Sequence, residues 1–359
     1  MAYDLKGYKF DSTAFFTREM KDCITAVRVD RPSIVQAEAM ARRRRSTLTT
    51  NGKLCILATD HPARRVTNVG SDTFLMANRL GYLGRVLRVI AASDFDGVMG
   101  PTDVIEDLFI VNYLVRQGGG PSFLDNKVMI GCMNRGGLAG TVFEMDDRMT
   151  SFTAESIARL GLDGAKIMFR LDPDSPDSLA TIEYCAHAIS EMNAYGLPTF
   201  LEPLPVRKEG NKYPTLKQAD ELARIAGVAS ALGDSSVNLW LKLPYAEGYE
   251  KVADATTQPI LMLGGEAKGD PTPTLNEFAS GMKAGGNVRG ALVGRNVLYP
   301  GDDDPMAVAM AIQKIVQEGI SADEAVEYLM SIRGQNMDLL HKYICADCCD
   351  CAAGSGCCS

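Results

Sequence analysis

The stretch that decides the fold is 161–202, GLDGAKIMFRLDPDSPDSLATIEYCAHAISEMNAYGLPTFLE. It opens on a short β-rich apolar run at 164–169 (GAKIMF), passes through a helix-like stretch at 177–195, and returns to an apolar run at 197–202 (LPTFLE). A strand, a crossover helix and a second strand in that order place two parallel strands in one sheet.

The same alternation continues outward on both sides. Runs at 54–59 (LCILAT), 95–99 (FDGVM) and 127–133 (KVMIGCM) precede the stretch; runs at 237–243 (VNLWLKL), 259–263 (PILML) and 290–293 (GALV) follow it. Helix-like segments such as 216–232 separate them. Eight such units in roughly 250 residues predict an α/β chain closed as a (β/α)8 TIM barrel, with an open doubly wound sheet as the alternative. Residues 1–50 form an N-terminal extension expected to add one or two helices capping the barrel bottom. A further helical stretch follows at 321–343. Residues 51–343 read as one barrel domain, because no internal repeat and no linker rich in Gly, Pro or Ser interrupts them. Residues 344–359 form a Cys-rich C-terminal tail.

With 359 residues and 46% apolar composition, the chain can bury a large core. A net charge of −8 and a pI near 5.1 argue against a nucleic-acid or membrane-surface partner. The run Arg42–Arg45 is the local exception and reads as the solvated end of a helix opening at Ser33. The opening MAYDLKGYKFDSTAFF lacks the basic-then-apolar pattern of a signal peptide, and no run reaches the ~18 apolar residues of a membrane span. A cytoplasmic protein, a homo-oligomer acting on a small molecule, is expected. Of ten cysteines, Cys23, Cys55, Cys132 and Cys185 read as buried small hydrophobes. Six crowd the tail, where Cys345-x2-Cys348 has metal-ligand spacing. No second, separated pair completes a zinc pattern, so the tail is expected to be a reduced, mobile appendage.

In a barrel of this type the active site lies at the C-terminal strand ends. There the strands carry Asp60, Asn134, Arg135, Lys166, Glu202 and Lys242. Side chains alternate across a strand, so Lys242 shares a face with Trp240 and Lys166 with Met168. If Leu241, Leu243 and Ile167 face the outer helices, both lysines point inward. Burial and mutual repulsion would lower both lysine pKa values, yielding a neutral amine able to attack a ketone. Glu202 stands between them in strand order and can move protons, while Asp60 can offset charge or orient a substrate hydroxyl. The bland alternative is a buried structural ion-pair cluster. Gly264, Gly265, Gly294 and Arg295 follow strands seven and eight, where barrels often bind phosphate. The chain has three histidines, of which His187 and His341 lie far from the strand ends. A metal-polarised mechanism is therefore not expected, and neither is a cofactor.

At these residues the chain resembles the class I aldolases of the tagatose-1,6-bisphosphate and archaeal-type fructose-bisphosphate aldolase superfamily, over about residues 52–318. The matching segments are ATDHPAR, GLDGAKIMF, GLPTFLEPLPV, NLWLKLP, PILMLGGE and GALVGRN. The resemblance implies that Lys242 forms the Schiff base, Glu202 is the acid/base, and Lys166 and Asp60 support them. More narrowly, the chain is similar to an actinobacterial branch found with myo-inositol catabolism. That implies cleavage of 6-phospho-5-dehydro-2-deoxy-D-gluconate to dihydroxyacetone phosphate and malonate semialdehyde. A carboxylate on the latter wants a cation away from the phosphate, and Arg135, Arg170 and Arg207 follow strands three to five. The same arginines would suit the second phosphate of fructose or tagatose 1,6-bisphosphate, or the sulfonate of a sulfosugar phosphate. A barrel that binds a sugar phosphate without turning it over is the non-enzymatic alternative.

Overall fold

The computed structural model describes residues 2–210 and 212–344. Eight parallel strands close into a barrel in sequence order: β1 (Leu54–Ala58), β2 (Gly97–Gly100), β3 (Val128–Cys132), β4 (Gly164–Leu171), β5 (Thr199–Pro205), β6 (Leu239–Pro244), β7 (Ile260–Leu263) and β8 (Val288–Val293). Closure is made by β1 against β8, Leu54 pairing with Gly290. The open-sheet alternative is thereby excluded.

Two helices precede the barrel, α1 (Arg18–Asp30) and α2 (Ile34–Ala41). The crossovers are α3 (Arg79–Ile90), α4 (Thr102–Gln117), α5 (Ala154–Arg159), α6 (Asp177–Ala194), α7 (Ala219–Ser230), α8 (Glu250–Asp254) and α9 (Thr272–Gly281). After β8 come the short α10 (Arg295–Leu298), then α11 (Pro305–Glu318) and α12 (Ala322–Ile332).

Most strand positions are buried, as strands covered by helices outside and side chains inside must be. Two apolar sets result. Ala165, Ile167, Leu241 and Leu243 pack outward with the helices, while Leu54, Ile56, Ile130, Phe200, Leu261 and Leu292 fill the barrel. Gly290 shows why a glycine stands at the closing seam. Its φ is +141°, and a Cβ there would sit 2.0 Å from Leu54 O. β5 runs three residues beyond the expected stretch, through Pro203 and Pro205. Val206 N–H donates to Leu171 O, so both prolines face the β6 side, where pairing has already ended at Leu201. No strand hydrogen bond is lost to them.

The N-terminal helices differ from expectation in placement. α1 and α2 pack against α4 on the flank of the barrel. Leu48, from the segment after α2, is packed against the interior cluster instead. The arginine run is only in part the solvated helix end expected: Arg43 and Arg44 are exposed, Arg42 and Arg45 are not. Arg42 is buried, donating to Lys127 O, Gly161 O and Asp163, and Arg45 pairs with Asp96 at 3.0 Å. These bonds collect carbonyls and carboxylates at the N-terminal ends of the strands, a use that charge patterning alone does not reveal.

Cys55, Cys132 and Cys185 are buried free thiols. Cys23 is buried as expected, but is held in a disulfide. The tail cysteines from Cys345 to Cys358 lie outside the described residues. Among the described residues, no helix is long and apolar enough to cross a membrane, and no group of three or more His, Cys, Asp or Glu is placed to hold a metal ion.

Candidate active site

Strand alternation delivers four ionisable side chains to the C-terminal mouth. Lys166 is paired in register with Phe200, and Glu202 with Met168, so the two groups stand one layer apart on adjacent strands. Lys242 enters from β6, and Asp60 follows β1. The ammonium of Lys166 lies 2.8 Å from Asp60 Oδ2 and 2.8 Å from Glu202 Oε2. Lys242 Nζ lies 3.0 Å from the same Glu202 oxygen. Both contacts to Glu202 are ion contacts; neither is an aligned hydrogen bond.

This geometry corrects one electrostatic expectation. Two facing lysines alone would depress each other, but here carboxylates intervene. Burial works against the Lys166 charge, yet Asp60 and Glu202 outweigh it and raise its pKa. Burial likewise works against the Glu202 charge, and Lys166 and Lys242 overcome it, holding that carboxyl at about 2. The same contest, won mainly by Lys166, keeps Asp60 well below the usual carboxylate range. Lys166 is thus a fixed cation at neutral pH, between two fixed anions.

A cavity of about 420 Å³ opens above this centre. Lys242, Glu202 and Asp60 line it; Lys166 does not, and its side chain is 0% exposed. Of the two lysines, Lys242 is therefore the one a substrate can reach. The wall beside β7 and β8 carries Gly264, Gly265, Gly294 and Arg295. These glycines do different work. Asn296 Nδ2 donates to Gly264 O at 2.8 Å, and a Cβ on Gly264 would collide with that amide. Gly294 leaves room for the His61 ring, whose Cε1 a Cβ would approach to 2.4 Å. Gly265 is left-handed, with φ +75° and open space where its side chain would be. Arg295 faces Glu266 at 3.6 Å.

The three arginines assigned to a distal anion do not line this cavity. Arg170 is a correction. It is buried, bonded to Glu144 Oε1 at 2.6 Å, to Glu144 O and to Gly137 O, with Asp147 at 3.7 Å. Its charge is spent holding the loop after β3. Arg207 is exposed and 4.0 Å from Asp174, and Arg135 is also exposed, outside the lining of this cavity. Asn134, too, is structural: it accepts from Met168 N–H and donates to Met168 O, clasping the end of β4.

Three basic lining residues had not been assigned to the site. Arg64, on the 3₁₀ turn Pro62–Arg64, is bonded to Asp147 at 2.7 Å and lies 3.7 Å from Asp60. Its signal was its place four residues after Asp60. His61 has a buried Nδ1 with no hydrogen-bond partner. Burial, helped by Arg295, pushes its pKa down to about 4, so it is neutral at pH 7. Lys217 comes from the loop after β5, and no sequence pattern marks it.

The closed barrel, with its ionisable side chains gathered at the C-terminal mouth, is a (β/α)8 protein whose fold is shared by archaeal fructose-1,6-bisphosphate aldolases. Residues 52–316 match the Cgl0159-like family model, and the chain belongs to that family. The crystal structure of Cgl0159 from Corynebacterium glutamicum is 35% identical and superposes with a TM-score of 0.78, covering 85% of this chain and 99% of that one. An uncharacterized aldolase, SSO3226 of Saccharolobus solfataricus, is 30% identical over 142 residues, 39% of this chain. The chain spans about half (48%) of the length of that curated relative. An archaeal fructose-1,6-bisphosphate aldolase, solved with its catalytic lysine covalently bound to the carbinolamine intermediate, shares the fold at 21% identity and a TM-score of 0.51, over 79% of this chain and 99% of that one.

Proposed function

We propose that this protein is a class I aldolase, a lyase that cleaves a ketose phosphate through a Schiff base on Lys242. The observation that carries the reading is the Glu202 oxygen shared by a permanently charged Lys166 and a cavity-facing Lys242. A structural ion-pair cluster would have no need of an ammonium opening into a cavity.

The chemistry follows from the placement. Glu202, ionised at rest, can take a proton from Lys242 and free the amine to attack the ketone carbon. Returning protons to the oxygen lets the carbinolamine lose water and form the imine. Cleavage requires a base for the substrate hydroxyl and leaves an enamine, which is reprotonated before water releases the ketone product. Lys166, itself anchored by Asp60, holds Glu202 in place and offsets its charge through these transfers. Gly265 and Arg295 would receive the phosphate of the ketone half.

Within this class the substrate we favour is 6-phospho-5-dehydro-2-deoxy-D-gluconate, in inositol catabolism. That choice rests on the sequence resemblance, since none of the arginines assigned to its carboxylate lines the cavity. The test is borohydride reduction in the presence of dihydroxyacetone phosphate, read by peptide mass spectrometry. A reduced adduct on Lys242, with loss of activity, is expected. An adduct on Lys166 alone would overturn the assignment, and no adduct at all would overturn the class I reading.

A further inference from the structure

The cavity has a second cationic pole that chemistry at Lys242 does not use. Among the described residues, each other cation lining it faces a carboxylate: Lys242 meets Glu202 at 3.0 Å, Arg64 meets Asp147 at 2.7 Å, and Arg295 meets Glu266 at 3.6 Å. Lys217, an exposed residue, lines the same cavity, and no carboxylate among the described residues is at ion-pair distance from it. Four cations (Arg64, Lys217, Lys242, Arg295) against three carboxylates (Asp60, Glu202, Glu266) line it, in a chain of net charge −8. Such a local excess of positive charge favours an anionic ligand.

The backbone sets where Lys217 points. Beyond β5 the chain doubles back, Val206 bridging Thr215 and Glu209 bridging Lys212. Leu216 N–H then donates to Pro205 O at 2.8 Å, tying that residue to the strand end. Thr215 and Lys217, on either side of Leu216, both line the cavity. The loop after β5 and the loop after β8 are three strands apart around the barrel. Lys217 and Arg295 therefore approach the centre from different sides.

We infer that Lys217, assisted by Thr215, holds an anionic group at the end of the substrate far from Arg295, so that the cavity takes ligands carrying an anion at both ends. The inference rests on the aldolase reading in assigning the Arg295 side to the first phosphate. A phosphate and a carboxylate both suit a lysine ammonium, which binds as a point charge.

Three unreactive open-chain probes test it by calorimetry on the full chain: glucitol 6-phosphate, glucitol 1,6-bisphosphate and 6-phosphogluconate. Wild type should bind at least one of the doubly anionic probes about tenfold or more tighter than the monophosphate, the range of one charged hydrogen bond. Which probe is preferred distinguishes a distal phosphate from a distal carboxylate. Lys217→Met should abolish the preference while leaving glucitol 6-phosphate affinity within about twofold. No preference in wild type, a preference retained in the variant, or an equal loss for all three probes would each overturn the inference. Borohydride trapping with dihydroxyacetone phosphate is run on both proteins. Absence of any lysine adduct sinks the aldolase reading, whereas trapping without any probe preference sinks the role of Lys217 alone.

Discussion

Replacing Glu202 by Gln preserves shape and removes the charge standing between Lys166 and Lys242. A free glutamate titrates near 4.5 and Glu202 at about 2. At 1.36 kcal/mol per pH decade, that gap corresponds to about 3 kcal/mol of folding stability at pH 7. Glu202 is only 5% exposed, so solvent screening takes little from this figure. Asp60 still holds Lys166 at 2.8 Å in the variant, whereas Lys242 loses its carboxylate partner. The sign follows from the depressed pKa: the stabilisation is complete above pH 4.5 and is lost as pH falls through about 2. The stability difference between wild type and Glu202→Gln, measured by urea denaturation, should therefore narrow by about half between pH 7 and pH 3. In the same variant kcat should fall about 10²- to 10⁴-fold, the range for loss of a positioned acid/base group. A difference that stays flat or widens with acidification would refute the electrostatic account. A kcat within about tenfold of wild type would refute the proton-transfer role.

Two further substitutions probe neighbouring parts of the site. Arg170→Met leaves Glu144 without its buried cation, while Asp147 keeps Arg64 at 2.7 Å, and should cost about 3–5 kcal/mol in denaturant unfolding; an altered preference between singly and doubly anionic probes, with stability intact, would restore a substrate role to Arg170. Gly294→Ala places a methyl 2.4 Å from His61 Cε1 and 3.1 Å from Ala58 O, costing about 1–3 kcal/mol. The displaced ring should raise KM for phosphate-bearing substrates while Lys242 trapping at saturating dihydroxyacetone phosphate survives. An unchanged KM would show that the ring does not shape the anion side.

The eight strands were legible in the sequence because each is a short apolar run bounded by turn residues, and period-two alternation is a local property. For the same reason the inward direction of Lys166 and Lys242 followed once Ile167, Leu241 and Leu243 were taken to face the helices, leaving the two lysines to the barrel. What alternation cannot supply is who meets whom across the barrel. Only closure of the sheet brings Asp60, 106 positions before Lys166 in the chain, against that lysine, and this contact converts an expected neutral amine into a fixed cation. The loops behave likewise. Arg170 and Arg42 looked available because arginine is usually solvated, but tertiary folding delivers Glu144 to one and Asp163 to the other. Lys217 carried no periodic signal, and a loop doubling back after β5 turns it to the cavity. Local pattern determined the fold class and the candidate site residues; long-range contacts decided their charges and their ion-pair partners, because electrostatic energy depends on distance in space and not on distance along the chain.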